Sequence, residues 1–436
     1  MADRRTFVKQ AGTIAGGLTL AGLVAPAFGK DMSFADFLQH NIPGAMDTNM
    51  NDDDFWNWVK ESYTVSNTPI NLNNGGVSPQ PRVVQEMHEK YLAMCNEGPS
   101  YYMWRILDQG REPLRTKLST LAGVSADEIA INRNTTEALN TVIFGLNLKA
   151  GDEVVLTKQD YPNMINAWKQ REKRDGIKLV WLDLQLPSDD ENYLVKQFTS
   201  AFTDRTKLVH ITHMINWNGQ ILPAKAIARK AHERGIEVLV DGAHTFVHLE
   251  YNIPDLECDY FGTSLHKWLC APFGSGMLYI KKDKIKNIWP LLGNDNPNSE
   301  DIRKFESLGT RSFPSEMAIS TAVDFHYTIG AKRKEARLRF LKNYWAEKAI
   351  KIPGVKMATS LKPEFSCALA LFNIDGMTPG EVEGALLSKY KIHTSPTNWE
   401  LGNIHGVRVT PNVYTSIREL DILVNAIEEI AHKGKQ

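Results

Sequence analysis

Apolar residues along this chain come in short, β-branched runs separated by longer stretches of helical period. Runs such as Ile129-Ala130-Ile131, Val154-Val155-Leu156, Leu208-Val209-His210-Ile211 and Val238-Leu239-Val240 show no polar alternation, the pattern of strands buried on both faces of a parallel sheet. From about Ser119 to Ile280 strands and helices alternate, which predicts an α/β fold with a mostly parallel, doubly wound sheet. Past Met317 the pattern changes to long charged helices, such as Ala331 to Lys351, with strands such as Ala368 to Phe372, and predicts a smaller C-terminal α/β domain. The expected division is a large domain over 66–316 and a small one over 317–436. Before them, 28–65 forms an arm whose scattered aromatics (Phe34, Phe37, Phe55, Trp56, Trp58) lay helices against the small domain.

Open α/β sheets gather ligand groups at the carboxyl ends of their strands. Four such ends carry candidates here. Asn134-Thr135-Thr136 follows the first strand and opens a helix, so its amides and two hydroxyls form an anion cradle, although capping alone would explain one threonine. Asp160-Tyr161 follows the second, and Tyr161 is either a core aromatic or a ring that stacks on a planar ligand. Asn216 lies in the loop after Thr212-His213, and Asp241 ends the run 238–241 ahead of Gly242-Ala243-His244. The next run, 258–263, leads through Ser264-Leu265-His266 to Lys267, which sits in apolar company with Trp268 and Leu269. An acid at a strand end and a lysine in an apolar segment suit pyridoxal phosphate: the acid keeps the pyridine nitrogen protonated and the amine binds the aldehyde as a Schiff base. A capping Asp and a Lys snorkelling to solvent would account for either residue taken alone.

Composition narrows the class. The 436 residues are 42% hydrophobic and 23% charged with a net charge of −1, which gives no reason to expect nucleic acid or anionic lipid as a partner. Cys95, Cys258, Cys270 and Cys367 lack any C-x-x-C or Cys/His spacing, so neither a metal site nor a disulfide framework is expected. Residues 1–27 read as a targeting segment: Arg4-Arg5-Thr6-Phe7 resembles the twin-arginine signal, and a Gly/Ala-rich apolar stretch to Val24 ends at Ala25-Pro26-Ala27. A periplasmic enzyme, exported folded with its cofactor, is the expectation.

Taken in order, Asn134-Thr135-Thr136, Asp160-Tyr161, Thr212-His213 with Asn216, Asp241-Gly242-Ala243-His244 and Ser264 to Pro272 resemble the fold-type I, class V pyridoxal-phosphate-dependent aminotransferase family. Within it the chain is most similar to the isopenicillin N epimerase-like group, whose lysine is followed by Trp, Leu and a Pro a few places on. The resemblance implies that 66–316 is the cofactor-binding domain and that the enzyme is a homodimer with shared active sites. It implies that Lys267 holds the cofactor, Asp241 pairs with the ring nitrogen, and Tyr161 stacks on the ring where cysteine desulfurases place a histidine. His244 and Asn216 would contact the ring phenolate, while Asn134, Thr135, Thr136, Ser264 and His266 would hold the phosphate. Thr310, in Gly309-Thr310, would reach the phosphate of the neighbouring subunit. Arg408, in Gly406 to Asn412, would bind the substrate α-carboxylate, with Asn74 of the turn-rich Asn71–Pro79 segment as a second substrate contact.

One departure bears on the subfamily. Cysteine desulfurases carry a nucleophilic cysteine on a loop shortly before the carboxylate-binding arginine, whereas 391–407 has none, which disfavours persulfide chemistry. The epimerase-like group includes enzymes that modify an amino acid carried by a peptide, among them a periplasmic one that tailors a peptide siderophore. Chemistry at Cα of an amino acid, in the free state or within a small peptide, is therefore the expected activity, with desulfurase or C–S lyase chemistry on a sulfur amino acid as the alternative. A nicotinamide dehydrogenase would need an early Gly-rich turn with an acid about 20 residues on. Gly274-Ser275-Gly276 comes late and leads into another strand.

Overall fold

A computed structural model describes residues 52–433; the targeting segment and the arm ahead of Asp52 lie outside the described residues. The centre is a seven-stranded sheet of β1 (Ile129–Asn132), β2 (Glu153–Thr157), β3 (Lys178–Leu182), β4 (Thr206–Thr212), β5 (Glu237–Asp241), β6 (Tyr260–Ser264) and β7 (Gly276–Ile280), ordered β1-β7-β6-β5-β4-β2-β3. Strands β2 to β6 are parallel, and β7 runs against both its neighbours. Alternate residues feed opposite cores: Val238 and Val240 pack beneath one face and Leu239 beneath the other, as Val155 opposes Val154 and Leu156. Helices cover both faces, which is why the strands read as unbroken apolar runs.

A second, antiparallel sheet of β8 (Val355–Met357), β9 (Ala370–Ile374), β10 (Ser395–Trp399) and β11 (Ile404–Val409), ordered β10-β11-β9-β8, forms the C-terminal part. The helices Ala331–Ala349, Pro379–Tyr390 and Ile417–Lys433 cover it through Trp345, Leu386, Leu423 and Ile427.

Packing does not follow the sequence boundaries at each point. Ile70–Asn71 pairs with Ile392–His393, and Ile70 and Leu72 enter the C-terminal core although they follow residue 66. The helix Phe313–Ile329 runs past residue 317, yet buries Met317, Ala318 and Ala322 in the large core. The helix Asp52–Glu61 bridges the two parts: Trp58 lies 6.0 Å from Phe325 of the large core, while Arg333 and Arg337 stack on Phe55 and Trp56 and Lys60 pairs with Glu419 at 3.3 Å. Which core a segment joins depends on its partner in space, and order along the chain does not specify that. Among the described residues no helix is long and apolar enough to cross a membrane.

Candidate active site

The strand ends open into one cavity of about 470 Å³ at the junction of the two parts. At its floor, Asp241 ends β5 in register with Thr212 on β4 and Gly262 on β6. Its carboxylate accepts the Ala243 amide at 2.8 Å, and burial, then the charge of Asp160, pushes it up to about 6.

At another wall, Asn134 caps the helix Thr135–Gly145 by accepting the Glu137 amide at 2.8 Å, so the capping role falls to Asn134 and frees both threonines. The Thr135 amide donates to Ser264 Oγ at 2.9 Å and the two hydroxyls lie 2.7 Å apart, which ties the helix N-terminus to the end of β6. β7 must approach closely here, and a Cβ on Gly276 would come within 2.6 Å of the Asn134 backbone. Thr136 and His266 line the same wall, the latter held by Nδ1 against Ser275 O at 3.0 Å. A helix N-terminus with three hydroxyls suits a phosphate dianion.

Lys267 enters from the turn after β6, with Nζ 3.1 Å from His244 Nε2. Burial depresses the lysine to about 8 despite the pull of Asp241, and burial followed by the charge of Lys267 holds His244 well below its ordinary value. His244 is therefore neutral and can accept from Lys267, which puts its own proton on Nδ1, an atom without a protein partner. Tyr161 remains 40% exposed over the cavity, so it is not the core aromatic the sequence allowed.

Arg408 is buried, with Nη1 donating to Asn216 O at 2.7 Å and Nη2 to Asn73 Oδ1 at 3.0 Å. Burial lowers it to about 10, so it stays charged near neutral pH. Its Nε, Asn216 Oδ1 and His244 Nδ1 are buried without partners, and all three residues line the cavity. Buried polar atoms are rarely left so, and this cluster marks a polar ligand's place.

Two expected residues stand elsewhere. Asn74 does not line the cavity: its amide is spent donating to Thr410 O at 2.9 Å and accepting from Tyr414 Oη at 2.6 Å, which pins the turn beside Arg408. Its neighbour Asn73, also off the cavity wall, is the one that touches Arg408. Thr310 is exposed and outside its own chain's cavity. The sequence named Asp160 without a role of its own and gave none to His210, both behind Asp241, or to Trp217 on the cavity wall, stacked on Trp399 with centroids 4.8 Å apart. The only available signal for Asp160 was its place beside Tyr161, and His210 reads as part of an apolar strand.

The sequence pattern described as Aminotransferase class-V matches residues 70–407. The chain belongs to that family. It is 27% identical over 393 residues to isopenicillin N epimerase of Streptomyces clavuligerus, covering 86% of this chain and 98% of that one. It is also 27% identical over 401 residues to a probable cysteine desulfurase of Synechocystis, covering 85% and 94%. A solved C-DES mutant, with glycine covalently linked to its pyridoxal phosphate cofactor, superposes with a TM-score of 0.76 at 22% identity over 85% of this chain and 99% of its own. The protein is a pyridoxal-phosphate-dependent enzyme of class V with the fold-type I architecture. The cavity fits that cofactor from this chain's side: an acid for the ring nitrogen, an anion cradle for the phosphate, a lysine, and unpartnered donors and acceptors.

A pH dependence follows for cofactor capture. The unprotonated amine is the reactive form, so cofactor-free protein should take up pyridoxal phosphate faster as the pH rises, levelling above about 8 and not near the ordinary lysine value of 10.5. Stopped-flow absorbance checks this. Because the fold disfavours the charged amine, the same group costs stability progressively as pH falls from 10.5 to about 8, and no further below.

Proposed function

We propose that this enzyme removes the Cα proton of an amino-acid head group, that the head group belongs to a small peptide, and that the reaction is an epimerisation, transamination or related tailoring step carried out after export. The observation that carries the reading is the convergence of Lys267, His244, Asp241 and Arg408 on one cavity. Pyridoxal phosphate, when bound, supplies the electron sink that makes a Cα proton removable. This chain's residues do the rest. Arg408 offers a charged guanidinium to the α-carboxylate and fixes the head group. Lys267, whose basicity burial has lowered toward neutrality, takes the proton as general base, and neutral His244 orients Nζ by accepting its hydrogen bond. Asp241 would pair with the ring nitrogen and keep its proton in place.

Support for an epimerase-like over a desulfurase-like activity comes from the thiols. The chain just before Arg408 is β10 and the short helix Glu400–Gly402, without cysteine. All four cysteines are buried and unpaired, and burial pushes the Cys367 thiol up to about 12, far from a reactive thiolate. Incubation in deuterated water should give Cα exchange on small peptides with a free amino-acid head group. Rapid release of sulfide or alanine from free cysteine, with no exchange on any peptide, would return the enzyme to the desulfurase class.

The active form is a homodimer in which Thr310, exposed on its own chain, reaches the partner's phosphate cradle. Export rests on Arg4-Arg5 and the apolar stretch after them. Changing both arginines to lysine should leave folded, cofactor-loaded protein in the cytoplasm. Export of that variant at the normal level would refute the signal.

A further inference from the structure

Behind Asp241, away from the cavity, lie two buried groups that the chemistry above does not use. Asp160, from the turn after β2, and His210, in the middle of β4, are both fully buried. Their reactive atoms and those of Asp241 all fall within 4.8 Å of one another. Asp160 Oδ1 accepts the Tyr161 amide at 2.6 Å and the Thr212 hydroxyl lies against the same carboxylate; Oδ2 stands 3.5 Å from His210 Nε2, which makes no hydrogen bond. Two carboxylates and an imidazole out of water, with atoms unpaired, are costly unless the arrangement holds charge for a purpose.

We infer that Asp160, acting through the imidazole of His210, is a positioning residue that deepens the negative field at Asp241 and so keeps a proton on the ring nitrogen of pyridoxal phosphate.

The tautomer of His210 decides between a proton and a metal ion as the charge this trio holds. Trp168, on the helix Pro162–Asp175, donates its indole N–H to His210 Nδ1 at 2.8 Å. A neutral ring must then carry its proton on Nε2, facing the carboxylates, and a cation would need the lone pair that this proton occupies. Burial lowers His210 to about 4, so the ring is neutral near physiological pH and adds no positive charge to offset the two acids. Burial also raises Asp160 to about 6, matching Asp241, which in turn is raised by burial and by Asp160. The groups facing Asp241 are thus Asp160 and His210 from behind, Lys267 from the cavity, and the Tyr251 phenol, which burial keeps neutral. A second negative charge one residue behind the ring-binding acid makes a proton on the ring harder to lose. Asp160 also sits next to Tyr161 in sequence, so the residue over the cavity and the residue beneath the acid are set by one turn.

The inference rests on pyridoxal phosphate occupying this cavity, and two measurements separate its failure from that of the cofactor assignment. In cofactor-free protein, the Trp168 indole N–H resonance reports His210. In the wild type it should titrate with a midpoint near 6 as the carboxylate pair takes up a proton. In Asp160→Asn, which keeps an oxygen for the Tyr161 amide, loss of the neighbouring charge should move the midpoint down by about one pH unit. In protein loaded with ring-¹⁵N pyridoxal phosphate, the nitrogen should lose its proton at a pH lower by about one unit in Asp160→Asn than in the wild type. A purely structural role would shift neither signal. Unchanged midpoints in the variant overturn the inference. If the variant does not fold, a wild-type Trp168 signal that stays flat between roughly pH 5 and 8 overturns it as well. Wild type that takes up no cofactor would instead sink the cofactor assignment and leave the Trp168 titration to judge the carboxylate pair.

Discussion

Lys267→Ala is expected to eliminate both the visible absorbance of lysine-bound cofactor and turnover, with activity falling by at least about 10⁴-fold, since one amine serves as anchor and as general base. Borohydride reduction of the wild type should fix the cofactor on Lys267 and on no other lysine. The most instructive controls are the other buried lysines, because burial lowers Lys304, Lys334 and Lys342 to about 8 as well. Lys304 donates to Ile285 O, Lys334 to Trp268 O and Lys342 to Ser366 Oγ, and none of the three lines the cavity. Depressed basicity is thus shared, and among the described residues only Lys267 combines it with an open cavity, His244 and Asp241. Labelling of Lys304, Lys334 or Lys342, or a yellow Lys267→Ala variant, would overturn the site.

Arg408→Lys should lower kcat/KM by about 10²-fold or more for a substrate with a free α-carboxylate, mostly through KM, and leave cofactor binding intact. The size follows from geometry. The guanidinium is fixed by Asn216 O and Asn73 Oδ1 with Nε still unpartnered, and a lysine ammonium can satisfy neither the fork nor both protein acceptors at once. An amine lacking the carboxylate should be processed almost equally by wild type and variant. Equal loss on both substrates would show that Arg408 only supports the fold.

The strands, their burial on both faces and the order of the ligand-bearing ends were legible in the sequence, because a strand covered on both sides must be apolar at each position and Val, Ile and Leu say so locally. The helix start at Asn134-Thr135-Thr136, the acid ending β5 and the lysine after β6 were legible for a similar reason: each lies at the edge of a run whose period changes. Tertiary structure alone decided which polar residue of a turn reaches Arg408. Asn73 and Asn74 are adjacent and chemically alike, yet Asn74 is consumed by Thr410 and Tyr414, residues more than three hundred positions away, and Asn73 turns to Arg408. It also decided that Ile70 and Leu72 belong to the C-terminal core, since their partners at 392 and beyond are remote in sequence. Most of all, it brought Asp160, from the turn after one strand, and His210 and Asp241, from two others, to one buried point. No local pattern encodes that meeting, because a strand's apolar period fixes which face a side chain takes but not which neighbour the sheet order sets beside it.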